Sequence, residues 1–399
     1  MMLSVLQKLQ ARGVRFLAPE TVYVAPDVVP DRIAPGVTIH PGCRLSGAAL
    51  AIGPGSVIGA EAPATVSECQ LGADVHLAGG FFNRATFLNG FRAGSCAHVR
   101  PGCLFEEESS FAHSVGVKQT VFFPWVTAGS LINFCDCLIA GGTGRKNHSE
   151  IGSSYVHFNF TPHRDKATAS LIGDVPLGVL LNQPPIFLGG QGGLVGPSRI
   201  GYGTVIPAGQ VWRGDVTGAG RLVAKPAFPD MIDTPYDPRR YHAVRPVLRN
   251  NLLYIGNILA LDAWYRVVRA PFMRDDVYLS SCLAGARARL AEILEERLSR
   301  LDEFAQNVEQ SLTLGLSGRW DVEHRAFVGQ WPALKSALTD RVGERETVPT
   351  PGNVREIAEA LPAGDYLKAI QSLPPESAGV LTAWLETYPA AHPEFRRSP

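Results

Sequence analysis

The sequence predicts a mainly β fold: a left-handed parallel β-helix of hexapeptide repeats, followed by a C-terminal α-helical domain. Two observations carry this expectation. Leu194, Ile200, Ile206 and Trp212 stand six residues apart, with Gly193, Gly201, Gly203 and Gly209 interleaved. A period of six fits neither the 3.6 of a helix nor the 2 of a simple strand, and it is the signature of a prism whose walls are short strands. Beyond about residue 218 the step gives way to helical spacing, with apolar residues three and four apart. Each six-residue unit turns one apolar side chain inward and makes its corners from small residues. Stacked coils thereby bury a core that no single coil could bury.

The elements follow in order. Met1 to Phe16 alternates apolar and polar residues around Lys8 and Arg12. It is expected to form an N-terminal helix within residues 1–19, since it lacks the apolar run and small-residue cleavage site of a secretion signal. The β-helix is expected over 20–217. Ile33, Ile39 and Leu45 keep the six-residue step, Ile52 and Ile58 keep it after a one-residue slip, and Val99, Phe105, Phe111 and Val117 carry it through the middle. Pro226, Pro229, Pro235 and Pro238 mark a linker over 218–240 that cannot hold a regular element. The remainder, 241–399, is expected to be helical. Leu248, Leu252, Ile255 and Leu259 lie on one helix, ahead of the aromatic stretch Trp264, Tyr265 and Phe272. A longer helix is expected from about Ser280 to Leu314. Within it Leu294, Leu298, Leu301, Ala305, Val308 and Leu312 form a short a/d seam, which fits both an in-chain hairpin and a contact between subunits. Pro349, Pro351, Pro374 and Pro375 then divide short helices in which no catalytic motif stands out.

Composition narrows the function classes. The 399 residues are 45% apolar and 19% charged, the balance of a soluble globular protein. Lys plus Arg and Asp plus Glu number 37 each. No global positive field therefore argues for nucleic acid or an anionic membrane, and an anionic ligand must be met by a local cluster. No run is long enough to span a membrane. Seven cysteines, at 43, 69, 96, 103, 135, 137 and 282, frame neither a disulfide scaffold nor a zinc knuckle. That usage points to a reducing, cytoplasmic compartment, and no metal is expected.

Between residues 99 and 216 the chain gathers polar groups that a purely structural solenoid does not need. Arg100-Pro101-Gly102 opens a coil, and Lys118 ends the fourth step of that coil series, so both are cations next to core-facing positions. Gly141 to His148, containing Arg145 and Lys146, breaks the period and is expected to project as a loop. Tyr155 to Lys166 then sets His157 and His163 six residues apart, with Asn159 and Phe160 between them. Because equivalent corners of a solenoid stack, Arg100, Lys118 and the loop are expected to converge on one groove. Cations and aromatics along it would suit phosphate, ribose and pyrophosphate.

On these residues the chain resembles the acetyltransferase half of the bifunctional N-acetylglucosamine-1-phosphate uridyltransferase family. Arg100-Pro101-Gly102, Lys118, Gly129-Ser130, Asn159-Phe160 and Leu171-Ile172-Gly173-Asp174 occur in that family's order, and the spacing from Arg100 to Lys118 matches its substrate-binding arginine and lysine. The whole chain is also similar to bacterial proteins related to UDP-N-acetylglucosamine pyrophosphorylase. In these, Gly141 to Asn147, His157 to Lys166 and Gln183 to Gly193 would be hallmarks. The resemblance covers roughly residues 95–217 well. It implies a homotrimer with sites between neighbouring prisms, acetyl-CoA as a substrate, and a sugar phosphate or sugar nucleotide as the other. Arg100, Lys118, Arg145, Lys146, Asn159, Phe160 and Lys166 would form the substrate-binding set. Two departures stand beside it. Nothing before Arg100 offers the glycine-rich nucleotide loop of the uridylyltransferase half, and the family's catalytic histidine aligns with Phe134. An alignment through Lys146-Asn147-His148 restores a histidine at the cost of an insertion.

Acyl transfer to an amino sugar needs a base for the ammonium proton and a donor for the tetrahedral oxyanion. Histidine suits the first task because its pKa lies near neutrality. His148 is the leading candidate, with His157 and His163 behind it, although each also fits an exposed loop residue or a cap on corner carbonyls. Cys135 and Cys137 fit small buried strand residues better than an acyl acceptor or metal pair. Three function classes follow: an acetyl-CoA-dependent sugar acyltransferase, a non-catalytic sugar-nucleotide-binding or scaffolding solenoid, and zinc-dependent hydration using three converging histidines.

Overall fold

The computed structural model describes residues 4–156, 167–224, 239–241, 244–315 and 319–390. Its core is a parallel β-solenoid with three walls. The first wall stacks ten two-residue strands, from Arg15–Phe16 through Thr38–Ile39, Val57–Ile58 and His76–Leu77 to Val205–Ile206. The second runs from Tyr23–Val24 through Gly80–Asn83 and Ala97–Val99 to Val211–Arg213. The third runs from Ala51–Ile52 through Ala85–Phe87 and Cys103–Phe105 to Arg199–Ile200. Two eight-residue strands, Val115–Phe122 and Ile132–Ile139, bend across the corner and belong to both the second and the third walls.

The six-residue step has a direct structural meaning. Leu194, Ile200, Ile206 and Trp212 fall on the second, third, first and again second walls, as do Val99, Phe105, Phe111 and Val117. The inward column on the first wall begins with the partly buried Phe16 and is buried from there on, at Ile39, Ile58, Leu77, Ala93, Phe111, Ala128, Ile151, Leu188 and Ile206. In the middle coils the interior is filled by stacked rings. Phe87 lies over Phe105 at 5.2 Å and 14°, and Phe105 meets Phe122 edge-on at 5.4 Å. Corners are turned by residues with left-handed backbone, and many are not glycine: Glu68, Arg84, Gln119 and Asp136 at the turn from second to third wall all have φ between 48° and 55°. Such corners cost conformational energy, which close stacking of coils offsets.

The N-terminal helix α1 is short, Val5–Ala11, with Ser4 capping it in a box with Gln7. The solenoid begins directly after it, because Arg15–Phe16 already pairs with Thr38–Ile39. A four-residue helix α2, Val175–Gly178, interrupts the late coils. Among its described residues the C-terminal part contains helices joined by turns and no strand: α3 (Val244–Trp264), α4 (Ala270–Met273), α5 (Val277–Leu312), α6 (Arg319–Gly343), α7 (Gly352–Glu359), α8 (Tyr366–Gln371) and α9 (Pro375–Ala390). A π-helical stretch, Tyr265–Arg269, joins α3 to α4.

These helices do not form a separate lobe. Helix α5 lies along the outside of the third wall, so close that a Cβ on Gly285 would come within 2.6 Å of the side chains of both Gln70 and Thr86. Of its a/d seam, Leu294, Leu301, Ala305 and Val308 are buried, and Phe304 packs on Phe327 of α6 with ring centroids 5.6 Å apart. The seam is thus used within the chain. Helix α3 is wrapped on nearly every side, which explains why Asn250, Asn251, Asn257 and Asp262 are buried along with its apolar residues. All seven cysteines are free thiols. Among the described residues no helix is long and apolar enough to cross a membrane.

Candidate functional site

Arg100 and Lys118 meet as the stacking rule requires. Val99 pairs with Val117, so the two cations follow one coil apart at the corner between the second and third walls. Gly102 turns that corner at φ +80°, where a Cβ would clash at 2.6 Å with the Gln119 side chain. Glycine is needed there on both counts. One coil further on, Lys118 pairs with Cys135.

The surroundings of the cations were not legible in the sequence. Lys118 Nζ lies 3.1 Å from Glu296 Oε1 of helix α5, and Arg300 Nε donates to the same oxygen at 3.0 Å. Burial alone would raise the Glu296 carboxyl, but these two partners outweigh it and hold its pKa below the ordinary value. Arg100 Nη2 donates to Cys135 Sγ at 3.1 Å and has no carboxylate partner among the described residues. The helix repeats the pattern along this corner: Glu292 pairs with Arg84 at 2.6 Å, and Arg297 pairs with Asp136 at 2.6 Å with both side chains buried. The signal that could have found these partners is the charge series Arg289, Glu292, Glu296 and Arg297, which shares α5 with the apolar seam.

Cys135 and Cys137 are buried strand residues. Desolvation pushes the Cys135 thiol up to about 11 against the pull of Arg100, and Cys137 Sγ donates to the Cys135 carbonyl at 3.0 Å. Neither is poised as a thiolate nucleophile. Phe134, at the aligned histidine position, points into the prism, fully buried and edge-on to Phe122 at 5.4 Å. No group at that position can reach a ligand outside the wall.

Gly141 to His148 forms an antiparallel hairpin, Gly142–Gly144 against Asn147–His148, at the corner between the third and first walls. The expectation of a projecting loop that joins Arg100 and Lys118 in one groove is corrected here. Arg145 folds back on its own prism, donating to the carbonyls of Glu108 at 2.7 Å and Trp125 at 3.1 Å. Gln371 of α8 donates to the Thr143 carbonyl at 2.9 Å. The hairpin occupies a different corner of the prism from Arg100 and Lys118, and helices cover the wall between them. Lys146 is exposed, and His148 is half-buried with Nδ1 lacking a partner among the described residues. His157, Asn159, Phe160, His163 and Lys166 lie outside the described residues. Val156, just before them, pairs with Phe134, one residue ahead of Cys135. Among the described residues no group of three His, Cys, Asp or Glu is placed to hold a metal ion.

With this geometry in hand, the relatives are informative. No known protein-family model matches the chain. It is 32% identical over 190 residues to the bifunctional protein GlmU of Thermus thermophilus, covering 48% of this chain and 37% of that protein. It is 28% identical over 218 residues to GlmU of Pelobacter propionicus, 54% of this chain and 42% of the relative. Against GlmU of Nitratidesulfovibrio vulgaris it is 27% identical over 217 residues, 53% and 42% of the two chains. Over about half of its length the chain is a homologue of the bifunctional GlmU proteins, and it spans about two fifths of the length of these relatives.

Proposed function

We propose that the chain is an acyltransferase that moves the acetyl group of acetyl-CoA to the amine of a sugar phosphate or sugar nucleotide. The observation that supports it most is the stacking of Arg100 and Lys118 one coil apart, on a solenoid homologous to GlmU proteins. Arg100 would grip a phosphate with its planar fork, and Lys118 would add a second charge. A histidine takes the ammonium proton, the free amine attacks the thioester carbonyl, and collapse of the tetrahedral intermediate breaks the C–S bond to release the CoA thiol. His148, His157 and His163 are the candidate bases. His148 stands at a different corner from the two cations, so in this reading one copy's histidine serves its neighbour's Arg100 and Lys118 in a homotrimer. Closed symmetry of that kind would also cover the outer faces of the first and second walls. The second reading, a non-catalytic sugar-nucleotide-binding solenoid, is favoured by the buried Phe134 and by the Lys118–Glu296 pair.

Calorimetric titration with UDP-N-acetylglucosamine and glucosamine-1-phosphate tests the common part of both. Arg100→Ala is expected to weaken binding about ten- to a hundredfold, the loss of one charge-assisted contact. Glu296→Gln, which frees Lys118 from a half-exposed pair, should strengthen it by about three- to fivefold. If the wild type binds neither compound, or Arg100→Ala binds equally well, the corner is structural. Acetyl-CoA turnover lost in His148→Ala, with phosphate binding kept, separates the enzyme from the scaffold.

A further inference from the structure

The helical part closes a cavity of about 230 Å³ against the late coils of the third wall, with α2, α3 and α9 around it. Asp174 and Arg199 line it from the solenoid, Leu253 and Asn257 from α3, and Glu386 from α9. Nothing in the sequence alone singles out Arg199 or Glu386.

Arg199 is half-buried. Its backbone N–H donates to Asp215 Oδ1 at 2.9 Å, but its guanidinium makes no hydrogen bond or ion pair among the described residues. Desolvation accordingly pulls its pKa below that of an ordinary arginine, with Asp215 and Asp174 attracting at longer range and Arg249 repelling. Asp174 uses Oδ1 to accept the Leu177 N–H at 3.0 Å, capping α2, and burial raises its carboxyl. Asn257 is held in place by two bonds: its Oδ1 accepts from the Val175 N–H at 2.8 Å and its Nδ2 donates to the Leu253 carbonyl at 3.0 Å. The cavity is therefore lined by a partly desolvated cation and a partly desolvated anion that form no ion pair with each other. Unpaired charges in such a place are costly, and a molecule carrying the complementary pair relieves both.

We propose that this cavity binds a small zwitterion of the α-amino-acid type, its carboxylate on the Arg199 guanidinium and its ammonium on the Asp174 carboxylate. The planar fork of arginine accepts a carboxylate bidentately, and an ammonium offers the donors that the second Asp174 oxygen lacks. The volume admits a small side chain, and Leu177 and Leu253 supply apolar contact. Glu386, exposed at the rim, disfavours acidic side chains. Because the cavity joins the solenoid to α3 and α9, an occupant would hold the helices on the wall and stabilise the folded chain by mass action. The site is separate from the Arg100 corner, and its success or failure says nothing about acyl transfer.

Thermal melts and calorimetry on the full chain with glycine, L-alanine and L-serine in millimolar excess test this. L-alanine or L-serine should raise the melting midpoint, while propionate and ethylamine, each carrying one of the two charges, should not. Asp174→Asn keeps the capping oxygen and removes the charge, so it should fold normally and bind at least about tenfold more weakly. Arg199→Met should do the same. The proposal is overturned if none of the three amino acids binds, if propionate acts as strongly as L-alanine, or if Asp174→Asn binds like the wild type.

Discussion

Arg297→Met is expected to lower the unfolding free energy by about 3–5 kcal/mol, the usual cost of removing one member of a buried ion pair. Arg297 of α5 is 1% exposed and lies 2.6 Å from Asp136, itself 9% exposed. Methionine would fill most of the volume but leave a carboxylate with little access to water. Asp136 sits where the strand Ile132–Ile139 bends from the second wall to the third, at φ +55°, so it cannot swing out without breaking the corner. Adding Asp136→Asn, which tolerates left-handed backbone and carries no charge, should recover most of the loss. Urea titration followed by far-ultraviolet circular dichroism measures both. A loss under about 1 kcal/mol for Arg297→Met would mean that packing of the α5 seam alone holds the helix to the wall.

That pair also marks what the sequence could and could not convey. The six-residue step is enforced locally, because each inward residue must be apolar for its own coil to stack, and so Leu194, Ile200 and Ile206 announce their walls. The helical spacing after residue 240 is local in the same sense. What covers the third wall is not. Glu292 and Glu296 look like an ordinary solvated face of a long helix until Arg84 and Lys118, 208 and 178 residues away in the chain, are brought beneath them. The hairpin from Gly141 to His148 was misplaced for a related reason. Glycines and a basic cluster predict a break in the period, but the direction of the chain after the break depends on the Glu108 and Trp125 carbonyls that Arg145 finds. Of the candidate site, the stacking of Arg100 on Lys118 was legible because corner positions repeat. The neutralising carboxylate on α5 was not.

Arg269→Met is expected to be the second large loss, and its size should depend on pH. The Arg269 guanidinium lies 3.1 Å from Glu106 and donates to both oxygens of Glu107, at 2.7 and 2.9 Å, while stacked 3.9 Å from the centre of the Tyr366 ring. One cation thus serves two carboxylates. Burial pushes the Glu106 carboxyl up to about 7; Arg269 opposes that rise, the Glu107 charge adds to it, and the 2.6 Å hydrogen bond from Tyr265 offsets part. An acid whose pKa is raised on folding keeps its proton longer in the folded chain. Its contribution to stability is full below the unfolded value near 4.5 and is lost as pH rises through about 7. The wild-type melting midpoint should therefore fall over that window, by an amount equivalent to on the order of 2–3 kcal/mol. Glu106→Gln, which keeps an acceptor for Tyr265 but cannot ionise, should flatten the slope. Without Arg269 only the Tyr265 hydrogen bond still favours the ionised form of Glu106, so Arg269→Met should cost about 3–5 kcal/mol near pH 8 and much less near pH 5, where Glu106 holds its proton. Melts of the three proteins across that range decide it. An Arg269→Met loss that is the same at both ends would assign the residue's role to packing on Tyr366 rather than to charge.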